Sequence, residues 1–257
     1  MVLQFTKENG VATLKFNRPD KYNSFNQELA FAVQKALDDC KNDDTVRVIV
    51  LTGEGKAFCA GQDLAEATDP NGPPLKNIVG EHYNPIVMRL REIEKPIIAA
   101  VNGVAAGAGA NLALACDIVV AKKSATFIQA FAAIGLIPDS GGTFFLPRLV
   151  GAQKALALMM TGDKVPAQEA EAMNMIYKAV DDEEFDAFID GMAAKMAKMP
   201  TRGYGLTKKA VNESFNNSLE EQLAVEEKLQ ALAGSTDDFK EGTQAFLEKR
   251  KPVFKGK

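Results

Sequence analysis

The stretch Leu136-Ile137-Pro138-Asp139-Ser140-Gly141-Gly142-Thr143 sets a carboxylate between two apolar runs, the second being "FFLPRLVG". A carboxylate near apolar surface loses hydration, which favours its neutral form and lifts its pKa. Such an acid is a useful base near neutral pH. Asp ahead of a glycine-rich helix start is also a common N-cap. Local sequence therefore leaves Asp139 as a base, a cap, or both.

Two other segments carry a second kind of chemistry. "FCAGQDL" (58–64) and "VNGVAAGAGANLALACD" (101–117) each follow a strand and enter a helix through small residues. Small residues let a backbone approach a ligand closely. A helix start leaves N–H groups unpaired. Two such groups, one from each turn, could converge on one oxygen and stabilise an enolate or tetrahedral oxyanion. Tight helix packing selects Ala and Gly too, so that reading stays open for each segment alone.

Composition narrows the alternatives. The chain has 257 residues, 46% of them hydrophobic, which suits one large domain or a domain with a helical appendage. Its 30 basic and 34 acidic residues give a formal charge of -4. Apart from the tail "EKRKPVFKGK" the basic residues are scattered, so nucleic acid, RNA included, is a poor electrostatic partner. No apolar run approaches the roughly 20 residues of a membrane span. The N-terminus lacks a basic-then-apolar signal pattern. Cys40, Cys59 and Cys116 have no metal-ligand spacing, and His82 is the sole histidine. These features point to a reducing, cytoplasmic setting and away from any multi-histidine metal centre.

The elements that must position these residues follow a theme. "VLQF…VATLKF", broken by "ENG", predicts a β-hairpin. "NQELAFAVQKALDDCKND" places Leu29, Val33, Ala36 and Leu37 at helical spacing. "VRVIVLTG" and "PIIAAVNG" are strands ending in glycine, and "IVVAKKSATFIQA" is a pair of short strands. "EGKAFCAGQDL" is expected to be a loop leading to a helical turn. Residues 68–80 are expected to form an exposed, mobile loop, and "HYNPIVMRLREIEK" a helix with Pro85 near its start. After Gly151 nearly everything is expected to be helical. Repeated β-β-α units imply sheets that cover one another with helices outside. No G-x-G-x-x-G follows a first strand, which argues against a dinucleotide-binding sheet.

"RPDKYNSFN", "AFCAGQDL", "KPIIAAVNGVAAGAGANLALACDIVVAKKSATF", "GLIPDSGGTFFLPRLVG" and "FLEKRKPVF" occur in an order that resembles the crotonase, or enoyl-CoA hydratase/isomerase, superfamily over nearly the whole chain. The resemblance implies an α/β fold, the ClpP-like crotonase spiral of β-β-α units, over 1–195, with a helical trimerisation region over 196–257. It implies an acyl-CoA ligand, no cofactor beyond the coenzyme A carried by the substrate, and a homotrimer or dimer of trimers. By position, the oxyanion donors would be the N–H groups of Gln62 and Ala108. Ala60 and Asp63 would lie at the coenzyme A adenine. Lys249 and Arg250 would reach its phosphates, in part from a neighbouring subunit, or else form an ordinary solvated helix end. Tyr83, on the helix with His82 and Asn84, would close over the acyl group. His82 itself is expected to be a surface or core residue and not a catalytic one.

Departures from the family pattern indicate the reaction. The hydratases use two glutamates; the matching positions here are Asn111 and Phe131, which would line the acyl pocket but cannot exchange a proton in that way. Asp139 stands where many members have glycine. One base with an oxyanion hole implies proton shuttling, converting a 3-enoyl-CoA into a 2-enoyl-CoA. "NSFN", "YNP", "NGVAAGAGA" and "GLIPDSGGT" most resemble the branch that turns ring-1,2-epoxyphenylacetyl-CoA into its oxepin, whose partners would be other phenylacetate-degrading enzymes. Three alternatives remain: a fatty-acid Δ3,Δ2-enoyl-CoA isomerase, a 4-chlorobenzoyl-CoA dehalogenase-like enzyme with Asp139 as nucleophile, and a non-catalytic acyl-CoA-binding subunit.

Overall fold

A computed structural model describes all 257 residues. Strands β1 (Leu3–Glu8) and β2 (Val11–Phe16) form the expected antiparallel hairpin. Asn9 and Gly10 make its turn at φ 52° and 82°, the conformation that two-residue hairpins favour. Helix α1 (Gln27–Asn42) starts at Asn26, whose side chain accepts from the Leu29 N–H. It buries Leu29, Val33, Ala36 and Leu37, the stripe expected from their spacing.

From there the chain alternates between two sheets. β3 (Val48–Gly53), β5 (Ile97–Val101) and β7 (Ile118–Lys122) enter one sheet. β4 (Ala57–Cys59), β6 (Val104–Ala106) and β8 (Thr126–Ile128) follow each of them into the other. With β9 (Lys164–Pro166) and β10 (Lys178–Val180) the orders are β1-β2-β3-β5-β7-β10 and β4-β6-β8-β9. Every pairing is parallel except β1 with β2 and β8 with β9. Repeated stepping from sheet to sheet is the spiral of β-β-α units.

Helices fill the connections: α2 (Leu64–Ala67), α3 (Leu75–Asn77), a π-helical turn (Ile78–Tyr83), α4 (Asn84–Glu92) and α5 (Ala108–Leu114). Then come α6 (Gly142–Val150), α7 (Ala152–Thr161), α8 (Ala167–Ala172), α9 (Phe185–Ala197), α10 (Thr201–Ser214), α11 (Leu219–Gly234) and α12 (Asp237–Leu247). The main core joins Leu14, Phe16, Ile49, Leu51 and Val101 of one sheet to Phe58, Ala105 and Phe127 of the other. On the opposite face Val48, Val50, Ile98 and Val120 pack under Phe185, Ile189 and Ala193 of α9. Burial on both faces explains why these strands read as continuous apolar runs. No helix is long and apolar enough to cross a membrane.

Three expectations need correction. "EGKAFCAG" contains the three-residue strand β4 as well as a loop. The region after Gly151 is not wholly helical, because β9 and β10 lie in it; each has three residues, too few to show a period. Residues 68–80 are not all loop: helical structure begins at Leu75, after Pro73 and Pro74, and Ile78 is buried.

Leu37 has no exposure and sits in the contact between α1 and the sheet. Leu37→Ala is expected to lower stability by about 2–5 kcal/mol. Urea unfolding should show a lower midpoint with an unchanged slope.

Candidate active site

The two glycine-rich turns meet. Phe25 and Gln62 form an isolated parallel bridge, in which the Phe25 N–H donates to Gly61 O (2.7 Å) and the Asp63 N–H to Phe25 O (2.8 Å). That pattern uses the groups on either side of Gln62 and turns its own N–H the other way; it donates to no protein acceptor. Ala108 opens α5, so the helix offers its N–H no carbonyl one turn back. A Cβ built on Gly61 would stand 3.4 Å from the Ala108 nitrogen. One on Gly109 would lie 2.2 Å from Cys59 O, so only glycine lets α5 press onto the end of β4. Both N–H groups named from the sequence therefore belong to one small region.

Side chains brace the first turn. Gln62 Nε2 donates to Glu66 (2.9 Å), and Gln62 Oε1 accepts from the Tyr83 hydroxyl (3.0 Å). The Tyr83 ring is sealed against Phe25, and burial pushes its pKa well above the ordinary value. Asp63 caps α2 through the Ala65 N–H (3.1 Å) and pairs with Arg18 (2.8 Å). Burial opposes its charge, but Arg18 and the cap hold its carboxyl below the usual range. The Ala60 N–H donates to Tyr22 O at 3.0 Å. His82 is a core residue, edge-on to Phe31 at 5.5 Å, with neither ring nitrogen hydrogen-bonded.

Asp139 is half-buried at the entrance to α6. It does not cap that helix: Gly141 holds the N-cap position and no side chain caps it. Ser140 and Gly141 both have positive φ, 51° and 78°, and separate the carboxylate from the helix. Asp139 Oδ1 instead accepts from the Ser140 hydroxyl at 2.9 Å. Burial raises the Asp139 pKa, while that hydroxyl pulls the other way. The Asp139 carbonyl accepts from the Gly142 N–H (2.8 Å) and from Asn111 Nδ2 (2.9 Å). Asn111 lies on α5, three residues after Ala108, so the acid and the two free N–H groups share a neighbourhood.

Asn111 has no exposure, and Phe131 is buried with its ring facing Gly107, 3.9 Å from where a Cβ there would be. Neither position supplies a second acid. Lys249 is exposed beyond α12, apart from these residues and in no ion pair. Arg250 pairs with Glu241 (2.6 and 2.8 Å) and Glu248 (2.6 Å). Sequence reasoning missed Ser140 and Gln129, which bonds Asn111. "PDSGG" carries a turn signal, but nothing in it marks a left-handed serine. A groove of about 620 Å³ lies not here but among Phe239, Phe246 and Phe254 of the C-terminal region.

Spiral, paired turns and helical C-terminus define a class. Residues 6–257 match the enoyl-CoA hydratase/isomerase family, and the chain belongs to it. It is 48% identical over 253 residues to the 1,2-epoxyphenylacetyl-CoA isomerase of Escherichia coli (strain K12), covering 97% of each chain. It is 42% identical over 255 residues to a probable enoyl-CoA hydratase of Rhodobacter capsulatus, covering 99% of this chain and 98% of that one. The crystal structure of an enoyl-CoA hydratase from Bacillus anthracis superposes with a TM-score of 0.92 at 32% identity, over 100% of both chains. Family membership alone spans isomerisation and hydration.

A raised carboxyl pKa in the folded state makes folding bind a proton, so this group's contribution to stability falls as pH rises from the ordinary carboxylate value of 3.8 through the folded value. Asp139→Asn removes that loss. The variant is expected to melt higher than the parent at pH 7, with the gap closing as pH falls toward 4, measured by thermal unfolding across pH.

Proposed function

We propose that the chain is an acyl-CoA isomerase in which Asp139 is the only proton-transfer group and the Gln62 and Ala108 N–H groups form the oxyanion hole. One observation carries this reading: Asp139 stands without a second acid. Asp63 is held by Arg18, and Glu66 by Gln62 and the Gln27 N–H. Asn111 and Phe131 occupy the positions where hydratases carry glutamates. Water addition by a two-acid route has no second acid here.

The chemistry follows from the thioester. Protons on the carbon next to it are acidic because the resulting charge spreads onto the thioester oxygen. The Asp139 carboxylate, made more basic by burial, takes that proton. The two backbone donors hold the enolate oxygen. The protonated acid then returns the proton two carbons further along, and a 3-enoyl-CoA leaves as a 2-enoyl-CoA. No atoms are gained or lost.

For substrate we propose ring-1,2-epoxyphenylacetyl-CoA, giving the oxepin, together with straight 3-enoyl-CoA chains. The 48% identical isomerase supports this choice, as does Phe131, an apolar surface suited to an aromatic-derived group. Tyr83, with its ring enclosed, would act through Gln62. The turn at Ala60 and Asp63 would receive the adenine, and Lys249 the phosphates of coenzyme A on a neighbouring subunit. The exposed apolar surface of the C-terminal region, with Phe246 83% and Leu247 75% exposed, supports a trimer or dimer of trimers built there.

Incubation with a 3-enoyl-CoA in deuterated water should give the 2-enoyl isomer and no 3-hydroxy product. Asp139→Asn should lose at least about two orders of magnitude in rate. A fully active variant would remove Asp139 from the mechanism. An aryl ester trapped on Asp139 would favour the nucleophilic alternative, and coenzyme A binding without turnover the non-catalytic one.

A further inference from the structure

Between α5 and the acid lies a buried polar chain that the proton-transfer reading does not use. The Asp139 carbonyl can only accept, so the Asn111 atom 2.9 Å from it must be the amide nitrogen. Asn111 Oδ1 then faces Gln129, which must present its own amide nitrogen, at 2.8 Å. The direction of each bond is fixed by its neighbour. Asn111 has no exposure and Gln129 is 5% exposed, so both amides are out of water. Gln129 Oε1 accepts from no protein donor. The space for Asn111 is also fixed, because a Cβ on Gly142 would stand 2.3 Å from its amide nitrogen.

We infer that Asn111 is a positioning residue: oriented by Gln129, it holds the Asp139 turn against α5 and so sets the carboxylate relative to the N–H groups of Ala108 and Gln62. The catalytic consequence rests on the proposed role of Asp139; the tether itself does not. In this role Asn111 acts as a brace on the acid through its bond to the Asp139 carbonyl. Two successive left-handed residues follow Asp139, a costly local conformation for Ser140 that surrounding contacts must maintain. The Asn111 bond is the only side-chain bond made to the Asp139 main chain.

Asn111→Leu keeps the branched shape and removes both bonds. Its kcat should fall about 10- to 100-fold through misplacement of the acid, with KM within about twofold of the parent, since no substrate contact is lost. Gln129→Met should fall in the same direction by less, and the double variant should match Asn111→Leu, as members of one chain of bonds do not add. Amide hydrogen exchange over residues 136–145 should speed up in Asn111→Leu but not in Asp139→Asn. A loss seen only in KM, or unchanged exchange over 136–145, overturns the inference. If Asp139→Asn stays active the base assignment falls, while exchange still judges the tether. Should Asn111→Leu not fold, Gln129→Met and Gly142→Ala decide by the same two readouts.

Discussion

The closest approach in the molecule that matters to its chemistry is that of α5 to the end of β4. The Cys59 carbonyl fills the space that a side chain at residue 109 would need. That contact brings two main-chain N–H groups from distant parts of the chain to one place. Everything else at the site is arranged around it. The Phe25–Gln62 bridge turns one donor, the start of α5 supplies the other, and the Tyr83–Gln62–Glu66 bonds fix the first turn from behind. Backbone donors held in this way need no reorganisation when charge develops, which is what makes such sites effective.

The acid is governed by different forces. Its electrostatics come from burial, offset by the Ser140 hydroxyl and its own backbone N–H, and no cation pairs with it. A salt bridge would hold the carboxylate ionised and weaken it as a base. Arg18 illustrates the contrast nearby: it pairs with Asp63, and that carboxyl is held low and serves structure. The two aspartates are thus separated in charge environment by whether a guanidinium reaches them.

Much of this was legible in the sequence because it depends on local rules. The Asn9-Gly10 turn, the α1 stripe and the glycine-ended strands follow from residue type and period. β9 and β10 escaped because three residues, each run opening on an exposed lysine, are too few to establish a period; they form by pairing with β8 and β7. Asp139 was found as an acid in an apolar setting, but its expected capping role failed at a detail no local rule contains, the two left-handed residues after it. Ser140 and Gln129 were invisible because their importance lies in what they touch across 1 and 18 positions of chain respectively. The pairing of Arg250 with Glu241, nine residues back, is likewise a contact the local sequence does not mark.

A hole built from main chain has an evolutionary consequence. In the site proposed above the donors would be encoded by the path of the backbone, not by the identity of residues 62 and 108, so substitution there would leave the function standing wherever the path survives. A side-chain acid has no such protection and can be gained, lost or moved by single substitutions. A lineage with this scaffold can therefore change reaction without rebuilding its charge-stabilising centre, and its members are expected to differ in chemistry more than they differ in shape.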